Sequence, residues 1–363
     1  MTENDPLIIT VSDVHLGALK SKLDSFKQFL KAILNGLYGN DLQAFVILGD
    51  FFDLCTDVPK TLLTDSKIQE IFTLLLDIKK RMHLIFALGN HEIPITGNVF
   101  TGTYDDKFNR RKEIFLNKFK NGNFDELFDE QSFCQYILLR EWNNSDRILL
   151  YDSQDQIEGS PINTLNIEGL NLDSDYKCLM MHGYQFEKDY IRFFIGPIWK
   201  SLISSDNIDF KEPFDYFWNE IIKQDKKVKP TTIKEMKDDL IKLKALSPDI
   251  IDHHFSRLNN LNFDFLKIKM RVMQKWEKTR KYEYYLEGIE DFLEDDIFSG
   301  VNHIIYGHSH ERGKFSETLH NRSVEIVNDG AWQHVYHPSY AGIYYKGKIE
   351  VELLRPITAP PQV

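Results

Sequence analysis

The sequence predicts an α/β protein with two β-sheets, and two observations carry that expectation. Over residues 7–88, three short apolar runs alternate with two amphipathic helical patterns. This βαβ order gives parallel neighbouring strands joined by right-handed crossovers. From Phe133 the texture changes to short β-like runs that compose a second sheet. The expected organisation is a main domain over 1–183, a helical insertion acting as a cap over 184–300, a second part of the main domain over 301–355, and a loose tail over 356–363.

The first strand, Leu7–Ser12, runs straight into Asp13 and His15. Residues two apart on extended backbone project to the same side, so both side chains can reach one point. Lys22–Leu37 follows as a helix, with Phe26, Leu30, Ile33, Leu34 and Leu37 at helical spacing. The apolar run from Ala44 to Leu48 reads as a fully buried strand. Gly49 ends it, and Asp50 and Asp53 come next with Phe51 and Phe52 between them. A carboxylate at the end of a buried strand packs poorly, and sites in open α/β sheets form outside the carboxyl ends of strands. Ile68–Lys80 reads as a helix and His83–Leu88 as the third strand, which ends in Gly89-Asn90-His91-Glu92. Residues 96–130 are polar, aromatic and helical in character.

The second group of β-like runs is Phe133–Leu139, Ile148–Tyr151, Asn163–Ile167 and Lys177–Met181, the last leading into His182-Gly183. Within the insertion, Lys267–Lys281 carries seven Lys or Arg and one Glu, with Ile268, Val272 and Trp276 on one helical face. Tyr282, Tyr284 and Tyr285 come directly after it. This basic helix reads either as a lid packed through its apolar stripe or as a surface for nucleic acid or another anionic substrate. The β texture resumes with His303–Tyr306, which ends in Gly307-His308-Ser309-His310. Val324–Asn328, Ile343–Tyr345 and Ile349–Leu353 complete the sequence of strands, with turn signals at Asp329-Gly330 and Lys346-Gly347.

A net charge of -11 argues against a protein that coats nucleic acid through its overall field. Cys55, Cys134 and Cys178 have no paired spacing, which suits a reducing, cytoplasmic compartment. The N-terminus has no basic leader, and no apolar run reaches the length of a bilayer span.

The strand ends together supply Asp13, His15, Asp50, Asn90, His182, His308 and His310. Two carboxylates, one carboxamide and four imidazoles form a mixed N/O ligand set that suits Mn, Fe, Zn or Co, with Mn the expected ion. Seven ligands exceed the needs of one ion and match two if a carboxylate bridges. The remaining histidines (His83, His253, His254, His303, His320, His334 and His337) read as structural. Those nearest a motif are His334 and His337, just after Asn328–Trp332, and Arg312 lies two residues past His310.

Read in order, Asp13-Val14-His15, Gly49-Asp50-Phe51-Phe52-Asp53, Gly89-Asn90-His91-Glu92, His182-Gly183 and Gly307-His308-Ser309-His310 resemble the calcineurin-like metallophosphoesterases. The resemblance covers about residues 7–182 and 300–353 and implies a four-layer αββα sandwich. It implies one metal on Asp13, His15, Asp50 and His310, with Asp50 bridging to a second on Asn90, His182 and His308. His91 would be the general acid, oriented by Asp53, and a metal-bridging hydroxide the nucleophile.

The motifs fix the chemistry and leave the substrate open. Ser12-Asp13-Val14-His15-Leu16-Gly17, Gly49-Asp50-Phe51-Phe52-Asp53 and Asn328-Asp329-Gly330-Ala331-Trp332 also look like the lipid-A-pathway branch that cleaves UDP-diacylglucosamine, which often carries Arg at the position of His91. Nucleases of the double-strand-break-repair type keep the His, and for them the basic helix 267–281 is the supporting feature. Phosphomonoesterases and cyclic-nucleotide phosphodiesterases share all five blocks, and a non-catalytic metal-binding scaffold is the alternative outside enzymology.

Overall fold

The computed structural model describes residues 5–354 except 19–20, 54–58, 93–115, 118, 123, 129–132, 135, 143–144, 152–162, 169, 171, 187–282, 295–297 and 334–335. Cys55, most of 96–130, His253, His254, the basic helix 267–281, His334 and the tail therefore lie outside the described residues. The chain divides into two compact units, Met1–Gln185 with Ile289–Val363, and Phe186–Gly288.

Among the described residues, thirteen strands form two sheets, all of them in the first unit. In chain order they are β1 (Ile8–Val11), β2 (Ala44–Leu48), β3 (His83–Ala87), β4 (Phe133–Cys134), β5 (Tyr136–Trp142), β6 (Ser145–Tyr151) and β7 (Asn163–Asn166). β8 (Lys177–Met180), β9 (His303–Tyr306), β10 (Gly313–Leu319), β11 (Arg322–Asn328), β12 (Ser339–Ile343) and β13 (Ile349–Leu353) complete the set. The six-stranded sheet has the order β13-β12-β1-β2-β3-β4, and the seven-stranded sheet β10-β11-β9-β8-β5-β6-β7. β1, β2 and β3 are mutually parallel, with Ile8 opposite Ala44 and Ala44 opposite His83. β8 and β9 are parallel in the other sheet. Period-two alternation puts Ala44, Val46 and Leu48 into a core shared with Ile137, Leu139, Met180 and Ile305 of the second sheet. The two sheets therefore pack face to face, as in the αββα sandwich.

Helix α1 (Leu23–Leu34) buries Phe26, Phe29, Leu30, Ala32 and Ile33. It ends three residues before the pattern Lys22–Leu37 suggests. Gly36, at φ 71°, closes it: the Gly36 N–H donates to Ile33 O, and the Leu37 N–H to Ala32 O, both at 3.0 Å. This Schellman cap turns Leu37 out to 68% exposure. A short helix α2 (Pro59–Thr64) precedes α3 (Ser66–Lys79). α3 starts two residues earlier than its apolar pattern because the Asp65 carboxylate accepts the Lys67 N–H at 2.8 Å as an N-cap.

Three strands depart from the sequence expectation. The first is β4: Phe133–Leu139, expected as one run of the second sheet, divides into β4, which pairs with β3 in the six-stranded sheet, and β5, which pairs with β8 in the seven-stranded one. β10, absent from the expectation, is an edge strand whose Lys314, Ser316 and Thr318 face solvent, so it lacks an apolar run. It returns into β11 through His320 (φ 48°) and Asn321 (φ 61°), the paired left-handed residues of a two-residue hairpin. β12 covers Ser339–Ile343 rather than Ile343–Tyr345. Its small residues Ala341 and Gly342 are buried against β1, and their low hydrophobicity hid it.

Candidate metal centre

β1, β2, β3, β8 and β9 all deliver a motif immediately past their carboxyl ends, which brings all seven strand-end candidates to one side of the sandwich. The first two loops remain paired beyond the sheet. The Asp13 N–H donates to Gly49 O at 3.1 Å, His15 N–H to Asp50 O at 2.8 Å, and Asp53 N–H to Leu16 O at 2.9 Å. Asp13, His15, Asp50, His308 and His310 each have φ between 48° and 63°. Left-handed backbone at a residue with a Cβ costs about 1–2 kcal/mol, so the surrounding fold must hold these five in place. Beneath the second loop, Phe51 and Phe52 are fully buried with ring centroids 4.8 Å apart. Phe51 meets Phe86 at 5.3 Å, and Phe52 meets Phe119 at 5.8 Å and Phe128 at 5.5 Å. This aromatic bed anchors the loop that carries Asp50 and Asp53.

Each carboxylate divides its two oxygens between protein and cluster. Asp13 Oδ2 accepts the Ser12 hydroxyl at 2.6 Å and the His308 N–H at 2.8 Å, while Oδ1 lies 3.0 Å from His310 Nε2 and 3.6 Å from His15 Nε2. Asp50 Oδ1 accepts the His91 N–H at 2.9 Å. Asp50 Oδ2 lies 3.6 Å from His15 Nε2 and 3.3 Å from His182 Nε2. His182 Nε2 is also 3.1 Å from Asn90 Oδ1 and 3.2 Å from His308 Nδ1. Its Nδ1–H donates to Leu48 O at 2.8 Å, so the lone pair of neutral His182 sits on Nε2, facing the cluster.

These converging atoms are nearly all acceptors, and a cation is what such a group requires. Three groups of candidate ligand atoms lie within 4.8 Å of one another: Asp13, His15 and His310; Asp50, His182 and His308; and His15, Asp53 and His91. In the third, His91 Nδ1 and Asp53 Oδ1 already share a 2.7 Å hydrogen bond, which makes it an ion pair rather than a ligand set. Among the described residues, Asp13 Oδ1 faces the imidazoles of His310 and His15, and both ring nitrogens of His15 are buried without a hydrogen-bond partner. Buried polar atoms are rarely left so, and the first group therefore fits a divalent ion. The second, a buried carboxylate with two imidazoles, fits one by its donor set.

The electrostatics agree. Burial alone would raise the Asp50 pKa, but His182, His91 and His15 outweigh it and hold the carboxyl well below its ordinary range. Burial likewise opposes ionisation of Asp13, and His310 and His182 overcome it. Burial would lower the His182 pKa, yet Asp50 and Asp13 push it up to about 9.

His91 sits beside these groups with 21% of its side chain exposed, its ring edge-on to His15 at 4.6 Å. Burial would lower its pKa, and Asp50 and Asp53 reverse this and raise it to about 10.

A family model described as calcineurin-like phosphoesterase matches residues 6–312. The chain belongs to this family. Among solved structures, that of a dimetal phosphatase from Danio rerio is similar at 10% identity, covering 96% of each chain with a TM-score of 0.35. A likeness of that size adds nothing to the family assignment. No curated protein matches the chain. Family membership together with the ligand clusters makes the protein a metallophosphoesterase, a hydrolase of phosphoric ester bonds.

Among the described residues, the other sequence candidates contribute to none of these three groups of ligand atoms. His83 and His337 are exposed, and His303, at the opposite end of β9 from His308, stacks on Tyr176 at 4.3 Å. His320 donates from Nε2 to Glu290 O at 2.9 Å in the β10–β11 turn. Arg312 is exposed at the start of the segment leading into β10.

One residue of the third motif received no role from sequence. Glu92 is buried, and its carboxylate accepts the N–H groups of Gly89 (2.9 Å), Asp50 (2.9 Å) and Phe52 (2.8 Å). Burial and the charge of Asp50 push its pKa up to about 7, against the bond from Phe52. Three donors converging on it are the environment of an ionised carboxylate. Glu92 thus ties the β2 loop to the β3 loop. The Glu92→Gln variant turns an amide N–H toward one of these donors. It is expected to destabilise the protein by about 1–3 kcal/mol, read by denaturant unfolding.

Proposed function

We propose that this phosphoesterase hydrolyses a phosphate ester at a pair of divalent ions, with Mn the expected metal. Asp13, His15, Asp50 and His310 would hold one ion, and Asp50, Asn90, His182 and His308 the other. The observation that carries this reading is the position of Asp50 Oδ2, one oxygen lying 3.6 Å from His15 Nε2 and 3.3 Å from His182 Nε2. Bound ions would neutralise charge on the phosphoryl oxygens and lower the pKa of the attacking water.

The chain's own residues supply the rest. His91, whose pKa Asp50 and Asp53 raise against burial, presents Nε2 toward the side of Asp50 Oδ2, 3.8 Å away, and is the group able to protonate a leaving alkoxide. Asp53, 2.7 Å from Nδ1, fixes the orientation of the ring and favours its charged form. Cys134 and Cys178 are buried thiols outside any disulfide, which supports a reducing, cytoplasmic setting. No helix among the described residues is long and apolar enough to cross a membrane.

The test is turnover of an aryl phosphate monoester and of the matching bis-aryl diester by Mn²⁺-loaded full-length protein. Hydrolysis of either, lost on chelation and restored by Mn²⁺, is the expected result. Monoester preference would assign a phosphatase. Diester preference would direct the next assay to single-stranded DNA and to lipid-linked nucleoside diphosphates. No turnover of either ester with two ions bound would overturn the reading for small esters.

A further inference from the structure

Ser12 and Asp329 stand outside the ligand set, 317 residues apart, and both are fully buried. Ser12 Oγ lies 2.6 Å from Asp13 Oδ2, 2.6 Å from Asp329 Oδ1 and 2.9 Å from Gly330 O. The other Asp329 oxygen, Oδ2, accepts the Thr10 hydroxyl at 3.0 Å. A hydroxyl has one proton to give, so Ser12 cannot donate to both carboxylates at once. Two bonds of 2.6 Å are satisfied together when Asp329 supplies a proton to Ser12 Oγ and Ser12 donates its own to Asp13 Oδ2. Burial pushes the Asp329 pKa up to about 7 against the lowering bond from Ser12, in keeping with that arrangement.

The same segment is locked on both sides. The Asn328 amide donates to Gly307 O at 2.7 Å and to Ser309 Oγ at 2.9 Å, on the loop that carries His308 and His310. Ser339 Oγ donates to Asp329 O at 2.6 Å, and Trp332 N–H to Asp13 O at 3.1 Å. Gly307 has no room for a side chain, since an added Cβ would come within 2.6 Å of Asp13 Oδ2.

We infer that Ser12 and Asp329 are positioning residues, a two-link chain that fixes the rotation of the Asp13 carboxylate so that Oδ1 faces His15 and His310. This rests on the reading of Asp13 as a metal ligand. Groups that orient a ligand without touching the ion change metal affinity about 10–100-fold when removed. Ser12→Ala is therefore expected to weaken one of two Mn²⁺ ions by about tenfold and to leave the other unchanged. Asp329→Ala, which removes the donor and keeps Ser12, should do the same. Asp329→Asn retains an N–H for Ser12 and an oxygen for Thr10, and should stay within about threefold of wild type.

The experiment is a Mn²⁺ titration of metal-stripped full-length protein, with free Mn²⁺ followed by electron paramagnetic resonance. Circular dichroism on each variant verifies folding, and Asp13→Asn is run alongside. Selective weakening of one ion in Ser12→Ala or Asp329→Ala, rescued in Asp329→Asn, supports the chain. Wild-type binding of both ions in Ser12→Ala, with one ion lost in Asp13→Asn, overturns the chain and spares the metal reading. Unchanged binding in Asp13→Asn overturns the metal reading itself. Uniform weakening of both ions with a lowered melting temperature would mean that the network is only structural and would also overturn the inference.

Discussion

The Asp50→Asn variant is expected to lose both ions and to fall at least about 10⁴-fold in turnover, toward the level of chelated protein. Asp50 Oδ2 lies within 3.6 Å of both His15 Nε2 and His182 Nε2. Its replacement by an amide nitrogen would turn hydrogens toward the space that a cation should occupy. Oδ1 would still accept the His91 N–H, so the loop conformation should survive and the loss should be chemical. Elemental analysis after Mn²⁺ loading, alongside a rate, checks this. Retention of two ions per chain with wild-type turnover would remove Asp50 from the bridging position.

His91→Asn should behave differently, keeping both ions and slowing turnover by roughly 10²–10⁴-fold. The loss should depend on the leaving group. An activated aryl ester leaves without a proton and should be affected little, whereas an alkyl ester should show the full effect. The pH dependence follows from the sign of the shift. His91 acts in its protonated form, and neighbouring carboxylates raise its pKa to about 10 in the metal-free protein. Wild-type turnover should therefore fall as pH rises through the His91 pKa, and bound dications will place that limb below 10. The Asn variant should lack this alkaline limb. Loss of both ions in His91→Asn, or an unchanged limb, would contradict the role.

Much of this centre was legible in the sequence because buried parallel strands write themselves as apolar runs. A charged residue directly after such a run can only be at the sheet's end. Ala44–Leu48 followed by Asp50 is the clearest instance, and His303–Tyr306 followed by His308 is another. Contacts joining distant segments were not legible. Glu92 reads as part of a motif, but that its carboxylate holds three main-chain N–H groups depends on how two loops meet. Ser12 and Asp329 look like an ordinary strand end and an ordinary turn, and only the β11–β12 return path puts them 2.6 Å apart. The left-handed backbone at Asp13, His15, Asp50, His308 and His310 leaves no mark in composition, since such positions usually favour glycine. β10 was invisible because an edge strand with one solvated face carries no apolar run.

The centre draws its candidate ligands from strand ends in both sheets, and this sets the order in which they can come together during synthesis. His182 and His308 touch at 3.2 Å yet are 126 residues apart in the chain. At the usual ribosomal pace of about 5–20 residues per second, β9 follows β8 by roughly 6–25 s. Throughout that interval β8 has β5 on one side and an open edge on the other, and the polypeptide of the insertion emerges before the edge is closed. A nascent chain can present Asp13, Asp50, Asn90 and His182 early, but not a complete coordination sphere. On the proposed ligand assignment, metal capture would wait for β9 and the His308–His310 loop that follows it.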